Sequence, residues 1–335
     1  MPELIPLSVL DQSPIRVGGT AADALNETFR LARRCDELGY RRYWVAEHHA
    51  SEGLAGCSPE VLLARLGVET RAMRIGSGGV MLPHYSPYKV AENFKLLATM
   101  YPGRIDLGIG RAPGSSQYIA AALRYASRVT PELFPQMVQD LNALLRDEQP
   151  VTPGMEHAKA LPRVDPCPEL WLLGSSEDSA MLAAHFGLPY SFALFINPEI
   201  RADVFELYRQ NFKPGVIRDP HAMLTVFAVC ADTEAEAKRL ALSRDLWFHR
   251  VMQSVGGGAF PSVEEAEAYP WTEQDRVSLA ARMGRSAIGA PEQVVTQLRE
   301  MAAKFGVDEL MIVTITFDFA ARLRSYELLA EAWGR

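Results

Sequence analysis

An arginine placed directly after a glycine-ended apolar run presents a cation beside bare backbone, and Gly103–Gly114, GRIDLGIGRAPG, does this at Gly110-Arg111. Such a strand end suits an anion. A dinucleotide-binding loop would carry its third glycine where this chain has Pro113, and Pro113-Gly114 instead signals a turn. Gly108 and Gly110 on their own serve equally to allow tight packing at a strand end. A second anion feature lies in WLLGSSEDS, Trp171–Ser179, where an apolar run meets Gly174, Ser175 and Ser176 at the start of a helical pattern. A helix N-terminus offers unpaired N–H groups and serine hydroxyls add donors, although ordinary capping uses the same residues. Ser176 and Ser179 share one helix face. A fixed cation on one strand beside a serine-rich helix start on the next would suit a phosphate dianion.

Glu47-His48-His49 closes another short apolar run. Adjacent histidines on a strand point to opposite faces and no further ligands stand at metal-like spacing, so no metal site is expected. One histidine over a site can give or take a proton near neutral pH, and the other then hydrogen-bonds to loop backbone. GSGGVMLP, Gly76–Pro83, holds three glycines in a strand-like run. Either something flat approaches the backbone there, or a neighbouring strand packs closely, or the backbone is unusual, as in a non-proline cis bond at Gly78-Gly79.

These residues need elements to position them. Strand-like runs are expected at 5–10, 43–46, 75–82, 105–109, 170–173, 191–194, 224–229 and 310–315. Helical patterns follow over 21–38, 58–71, 87–100, 131–145, 177–186, 198–211, 233–251 and 319–332, with a further helix over 291–305 before the last strand. Eight strand-helix units without a break predict an α/β fold, a (β/α)8 TIM barrel formed by a single domain over 1–335; an open doubly wound sheet is the alternative. Two insertions stand out. Gln149–Pro168 holds five prolines before strand five, and Ser254–Arg285, after strand seven, carries the run Gly256-Gly257-Gly258 and the segment EEAEAYPW. The second reads as a lid or as surface decoration. In a barrel the chemistry sits at the C-terminal strand ends, here Asp11-Gln12-Ser13, Glu47-His48-His49, Pro83-His84, Gly110-Arg111 and Gly174-Ser175-Ser176.

The net charge of −7 argues against nucleic acid or an anionic membrane as partner and leaves small molecules. Cys35, Cys57, Cys167 and Cys230 form no close pair, which fits a reducing cytoplasm, and no apolar stretch is long enough to span a bilayer.

AEHH at 46–49, GSGGVMLP at 76–83, PGRIDLGIGRAPGS at 102–115, LLGSSEDS at 172–179 and GVDELMIVT at 306–314 together resemble the bacterial luciferase-like flavin monooxygenases, in the same order along essentially the whole chain. The resemblance implies a barrel that binds FMN, received in reduced form from a separate flavin reductase. It implies attack of a flavin C4a-hydroperoxide, formed with O2, on a small aldehyde- or ketone-like substrate. Carried over by motif, Arg111, Ser176 and Ser179, with backbone at Gly174 and Ser175, would hold the phosphate, and Arg128 is a further candidate. Gly78 and Gly79 would match the family's cis peptide against the flavin ring, and His48 the proton-transfer histidine. The family commonly forms homodimers. Gly110 stands where the luciferases carry a reactive cysteine, which points away from light emission. Phe192, Leu194 and Phe195 read either as an apolar wall or as a core strand. A non-catalytic flavin-binding protein, a deazaflavin-dependent oxidoreductase and a phosphosugar isomerase or aldolase remain as alternatives, although the last more often places its phosphate site after strands seven and eight.

Overall fold

The computed structural model describes residues 5–112, 116–124, 131–197, 202–253, 258–283 and 285–334. Arg128 and the Pro113-Gly114 turn lie outside the described residues. β1 (Leu7–Asp11) is followed by α1 (Ala21–Glu37), β2 (Arg42–Val45) by α2 (Pro59–Glu69), and β3 (Arg74–Met81) by α3 (Pro87–Met100). β4 (Ile105–Gly110) leads to α4 (Gln117–Arg124) and α5 (Phe134–Leu145), β5 (Glu169–Gly174) to α6 (Glu177–Phe186), and β6 (Tyr190–Ala193) to α7 (Asp203–Gln210). After β7 (Ala222–Cys230) come α8 (Glu234–Met252), α9 (Val263–Ala268), α10 (Glu273–Met283), the short β8 (Ala287–Gly289) and α11 (Pro291–Phe305). β9 (Glu309–Val313) and α12 (Phe319–Trp333) complete the series.

The strands pair in parallel in the order β6-β5-β4-β3-β2-β1-β9-β7, and pairing of β6 with β7 closes the ring into an eight-stranded barrel. β8 pairs only with the last residues of β7, through Ala228–Ala287 to Cys230–Gly289, and stands outside the ring. Three residues are too few for a strand period, so β8 is illegible in the sequence. The two insertions fall where composition places them. The second is no plain loop, however, because it contains α9 and α10, and the chain after Arg111 forms α4 six residues later.

Strand residues alternate in direction, and the two faces form separate cores. Leu7, Val9, Tyr43, Val45, Ile75, Leu107 and Ile109 pack with the helices in the outer layer. Leu10, Trp44, Trp171, Met223 and Met311 pack inside the barrel. Asp11 belongs to the outward set. Its carboxylate accepts hydrogen bonds from Arg322 Nη2 at 2.7 Å, Tyr43 Oη at 2.6 Å and the Ser13 N–H at 2.7 Å. This strand-end aspartate is therefore spent on tying α12 to β1 rather than offered to a ligand.

At the N-terminal end of the barrel the interior is charged. Arg42 Nη1 donates to Asp106 Oδ2 at 2.8 Å, Arg42 Nε to Glu309 Oε1 at 3.2 Å, and Arg42 Nη2 lies 3.2 Å from Glu169 Oε1. Arg74 Nε donates to Asp106 Oδ1 at 2.7 Å, and Ser8 donates to Glu309. Asp106 and Glu309 are fully buried. Burial raises the Glu309 carboxyl, but Arg42, with hydrogen bonds from His221 and Ser8, outweighs it and holds the group below its ordinary value. Removing one member of such a set strands its partner without compensation. Asp106→Asn is expected to lower the unfolding free energy by about 3–5 kcal/mol, measured by urea denaturation. A loss below 1 kcal/mol would show that the layer does not hold the barrel.

Candidate functional site

At the opposite end, the C-terminal strand ends surround a cavity of about 420 Å³. β1 and its loop contribute Leu10 and Gln12; β2 and its loop contribute Trp44, Ala46, Glu47 and His48. Gly78, Gly79 and Met81 come from β3, Gly110 and Arg111 from β4, and Leu173 to Ser176 with Ser179 from β5 and α6. Ser191, Ala193, Thr225 and Met311 close the far wall. The structure thus brings eight of the nine residues singled out from the sequence, all but Arg128, to one cavity.

Two strands make the space. A β-carbon at Gly79 would sit 2.6 Å from the Gly108 carbonyl oxygen, so that position requires glycine, and one at Gly78 would sit 2.6 Å from Leu10 Cδ1 and push the Leu10 tip aside. The Gly78-Gly79 peptide is cis. At Gly110 the reverse holds, because a β-carbon there would meet nothing within 4 Å. The cavity opens on that point, and a side chain is absent there for no steric reason.

Ser176 is the N-cap of α6 in a reciprocal capping box, with the Ser179 N–H donating to Ser176 Oγ and the Ser176 N–H to Ser179 Oγ, both at 3.4 Å. Ser179 Oγ also donates to the Ser176 carbonyl at 2.6 Å and lies 3.0 Å from Tyr190 Oη. Gly174 lets β5 approach this turn, since a β-carbon there would lie 2.1 Å from Ser179 Oγ. Arg111 is half exposed, with Nη2 3.7 Å from Asp178 Oδ2 on the first turn of α6. A half-exposed cation paired loosely with an exposed carboxylate exchanges that partner readily for a phosphate. The positive end of the helix that the first turn presents favours an anion in the same place.

The two histidines separate cleanly. His49 Nε2 lies 2.6 Å from Glu47 Oε1, and Glu47 also accepts from Tyr85 Oη at 2.7 Å and from the Met81 N–H at 3.1 Å. His49 and the buried Glu47 thus brace the β3 turn, a role that Glu47's place beside two histidines did not reveal. His48 lines the cavity, and its Nδ1 is buried without a hydrogen-bond partner. Desolvation, reinforced by repulsion from neighbouring His49, lowers its pKa to about 4. At neutral pH the ring is uncharged, able to accept a proton at one nitrogen and donate from the other.

The aromatic run splits as well. Phe192 and Leu194 pack outward into the helix layer, whereas Phe195 lines the cavity. The insertion after β7 docks elsewhere. Phe260 exchanges backbone hydrogen bonds of 2.8 Å with Ile15 and Val17 and stacks on Trp247 at 4.6 Å. Arg239 and Arg250 of α8 pair with Glu264, Glu265 and Glu267. None of the described residues of the insertion lines the cavity.

A flat group could rest on the glycine wall with an anionic end at Arg111 and α6, and this arrangement has counterparts. The sequence profile of the luciferase-like monooxygenases matches residues 5–309. The chain belongs to the luciferase-like monooxygenase family. An N-acetyl-S-alkylcysteine monooxygenase of Bacillus subtilis strain 168 is 38% identical over 331 residues, 98% of each chain. The crystal structure of apo-MsnO8 is 40% identical, covers 98% of each chain and superposes with a TM-score of 0.89. The oxygenating constituent of 3,6-diketocamphane monooxygenase from Pseudomonas putida, solved in complex with FMN, shares the fold at 18% identity, TM-score 0.71, over 98% of this chain and 97% of that one. The open surroundings of Gly110 leave cavity volume in place of a side chain.

The depressed His48 pKa has a measurable consequence. Protonation favours the unfolded chain, so the stabilisation is fully present above the ordinary value of 6.5 and is lost as pH falls towards 4. The loss should total roughly 3 kcal/mol across that window. Urea unfolding at stepped pH should show it, and His48→Gln should flatten the profile between those values. An NMR titration in which the ring protonates near 6.5 would disprove the burial effect.

Proposed function

We propose that this protein is the oxygenating component of a two-component monooxygenase, which takes reduced FMN from a separate reductase and oxidises a small, largely apolar organic substrate with O2. The observation that carries this reading is the convergence on one cavity of Arg111 and the α6 N-terminus at one end and the Gly78-Gly79 wall and His48 at the other. Monooxygenase chemistry follows from the family, and the choice of FMN rests on the fit of these residues to a phosphate-bearing planar group.

In this reading Arg111 supplies the charge, and the Ser176 hydroxyl with backbone at Gly174 and Ser175 supplies directed hydrogen bonds, for the phosphate. Ser179 acts mainly by holding that turn in shape. Gly78 and Gly79 offer a surface without side chains on which a ring can lie. Reduced FMN supplies, when bound, the electrons that activate O2. Leu10, Trp44, Met81, Leu173 and Phe195 line the same space and exclude water from it. His48 moves a proton between its neutral imidazole and the reacting groups.

Arg111→Ala is expected to weaken FMN binding roughly ten- to a hundredfold, the range of one charge-assisted contact, in a fluorescence titration, while the unfolding midpoint stays at the parental value. Unchanged affinity would remove the phosphate assignment. His48→Ala should bind FMN as the parent does yet lose at least tenfold in turnover, the lower range of acid–base catalysis being about a hundredfold. Turnover is read as substrate-dependent consumption of 18O2 with label in the product. Oxygen consumption that releases only peroxide, whatever substrate is offered, would support a flavin-binding protein instead.

A further inference from the structure

The far wall of the cavity, between β6 and β7, holds a polar pair that the phosphate and proton-transfer roles leave unused. Ser191 Oγ and Thr225 Oγ1 are 3.2 Å apart, and the two residues are 2% and 3% exposed. Both line the cavity, among Trp44, Leu173, Ala193 and Met311.

Two hydroxyls carry two hydrogens, and their mutual bond uses one. Neither hydroxyl has another partner among the described residues, so the second hydrogen faces the cavity without a protein acceptor. A buried donor without an acceptor is rare and costly. Tyr190–Ala193 and Ala222–Cys230 contain no charged residue, so this wall supplies no counter-charge for an anion or a cation. The matching ligand group is a neutral acceptor.

We infer that the Ser191–Thr225 pair is a carbonyl-recognition site, donating one hydrogen bond to a neutral carbonyl oxygen held between β6 and β7. Such an oxygen comes either from the pyrimidine edge of a flavin, which rests on the function proposed above, or from a ketone, aldehyde or amide substrate, which does not require it. In either case the pair orients what it holds, because it is the polar point of a wall otherwise formed by Trp44, Leu173, Ala193 and Met311.

The test uses Ser191→Ala, Thr225→Val and the double variant, which replace both partners by apolar groups of similar shape and so leave no orphaned group behind. FMN affinity is read by fluorescence quenching. Binding of 2-heptanone against heptane is read by displacement of an apolar fluorescent dye, on protein with and without FMN. The double variant is expected to lose roughly five- to tenfold, the worth of one hydrogen bond, in one of the two: FMN affinity if the flavin carbonyl is held, or preference for ketone over alkane if the substrate carbonyl is held. Thr225→Ser keeps the hydroxyl and should retain parental values in both. Should the parent bind no FMN, the flavin reading fails while the ketone comparison still decides this one. Unchanged FMN affinity together with an unchanged ketone preference in the double variant, folded as judged by its unfolding midpoint, would overturn the assignment. So would an equal loss in Thr225→Ser and Thr225→Val.

Discussion

Everything in this barrel stands on the charged layer at its N-terminal end. Arg42 reaches from β2 to carboxylates on β4, β5 and β9, and Arg74 on β3 shares the Asp106 carboxylate. Buried ion pairs of this kind are weak sources of net stability, since desolvation offsets much of their attraction, but they tolerate few alternative arrangements. Their contribution here is position. Trp44 Nε1 donates to Asp106 at 2.9 Å and Trp171 Nε1 to Glu169 at 2.8 Å. Arg42 lies over the Trp171 ring at 4.7 Å, and the two indoles meet edge to face at 5.3 Å. The charges therefore fix the two largest interior side chains, and Trp44 is part of the cavity wall.

Above that layer the barrel is filled unevenly. Indoles, Met223 and Met311 occupy the sides formed by β2, β5, β7 and β9, while β3 and β4 present Gly76, Gly78, Gly108 and Gly110. The lower pair is needed for packing: a β-carbon at Gly76 would lie 2.6 Å from Asp106 Cβ, and one at Gly108 would lie 2.3 Å from the Ser77 carbonyl oxygen. Of these four, Gly110 alone opens into free space. The cavity is thus displaced towards β3 and β4, next to the Arg111 side chain and the α6 N-terminus, as a consequence of where side chains are missing.

That asymmetry explains what was legible in the sequence. Apolar runs bounded by helical periods revealed the eight barrel strands, and α3 and α6 begin and end where their proline, serine and glycine signals put them. Glycine and arginine at strand ends marked the cavity because such residues are unusual there. The charged base was hidden, because Arg42 and Glu309 lie 267 residues apart and each is one charge at the start of an apolar strand. Only closure of the ring brings them together. Ser191 and Thr225 were hidden for a similar reason: a hydroxyl in a strand acquires meaning from the strand beside it. Phe192 and Phe195 looked alike until alternation sent the first outward and the chain's turn after β6 brought the second in.

The neighbouring histidines show how much the chemistry depends on one carboxylate. Glu47 is buried, and its oxygens are taken by His49, Tyr85 and the Met81 backbone. It has no bond to His48. A carboxylate at hydrogen-bond distance would favour the imidazolium; without one, desolvation decides and His48 stays neutral. The Tyr85 and Met81 bonds tie the β2 loop to the turn that follows Gly78-Gly79. Glu47 therefore sets two properties of the cavity at once: the position of the glycine wall relative to β2, and, by bonding elsewhere, the neutrality of the imidazole that lines it.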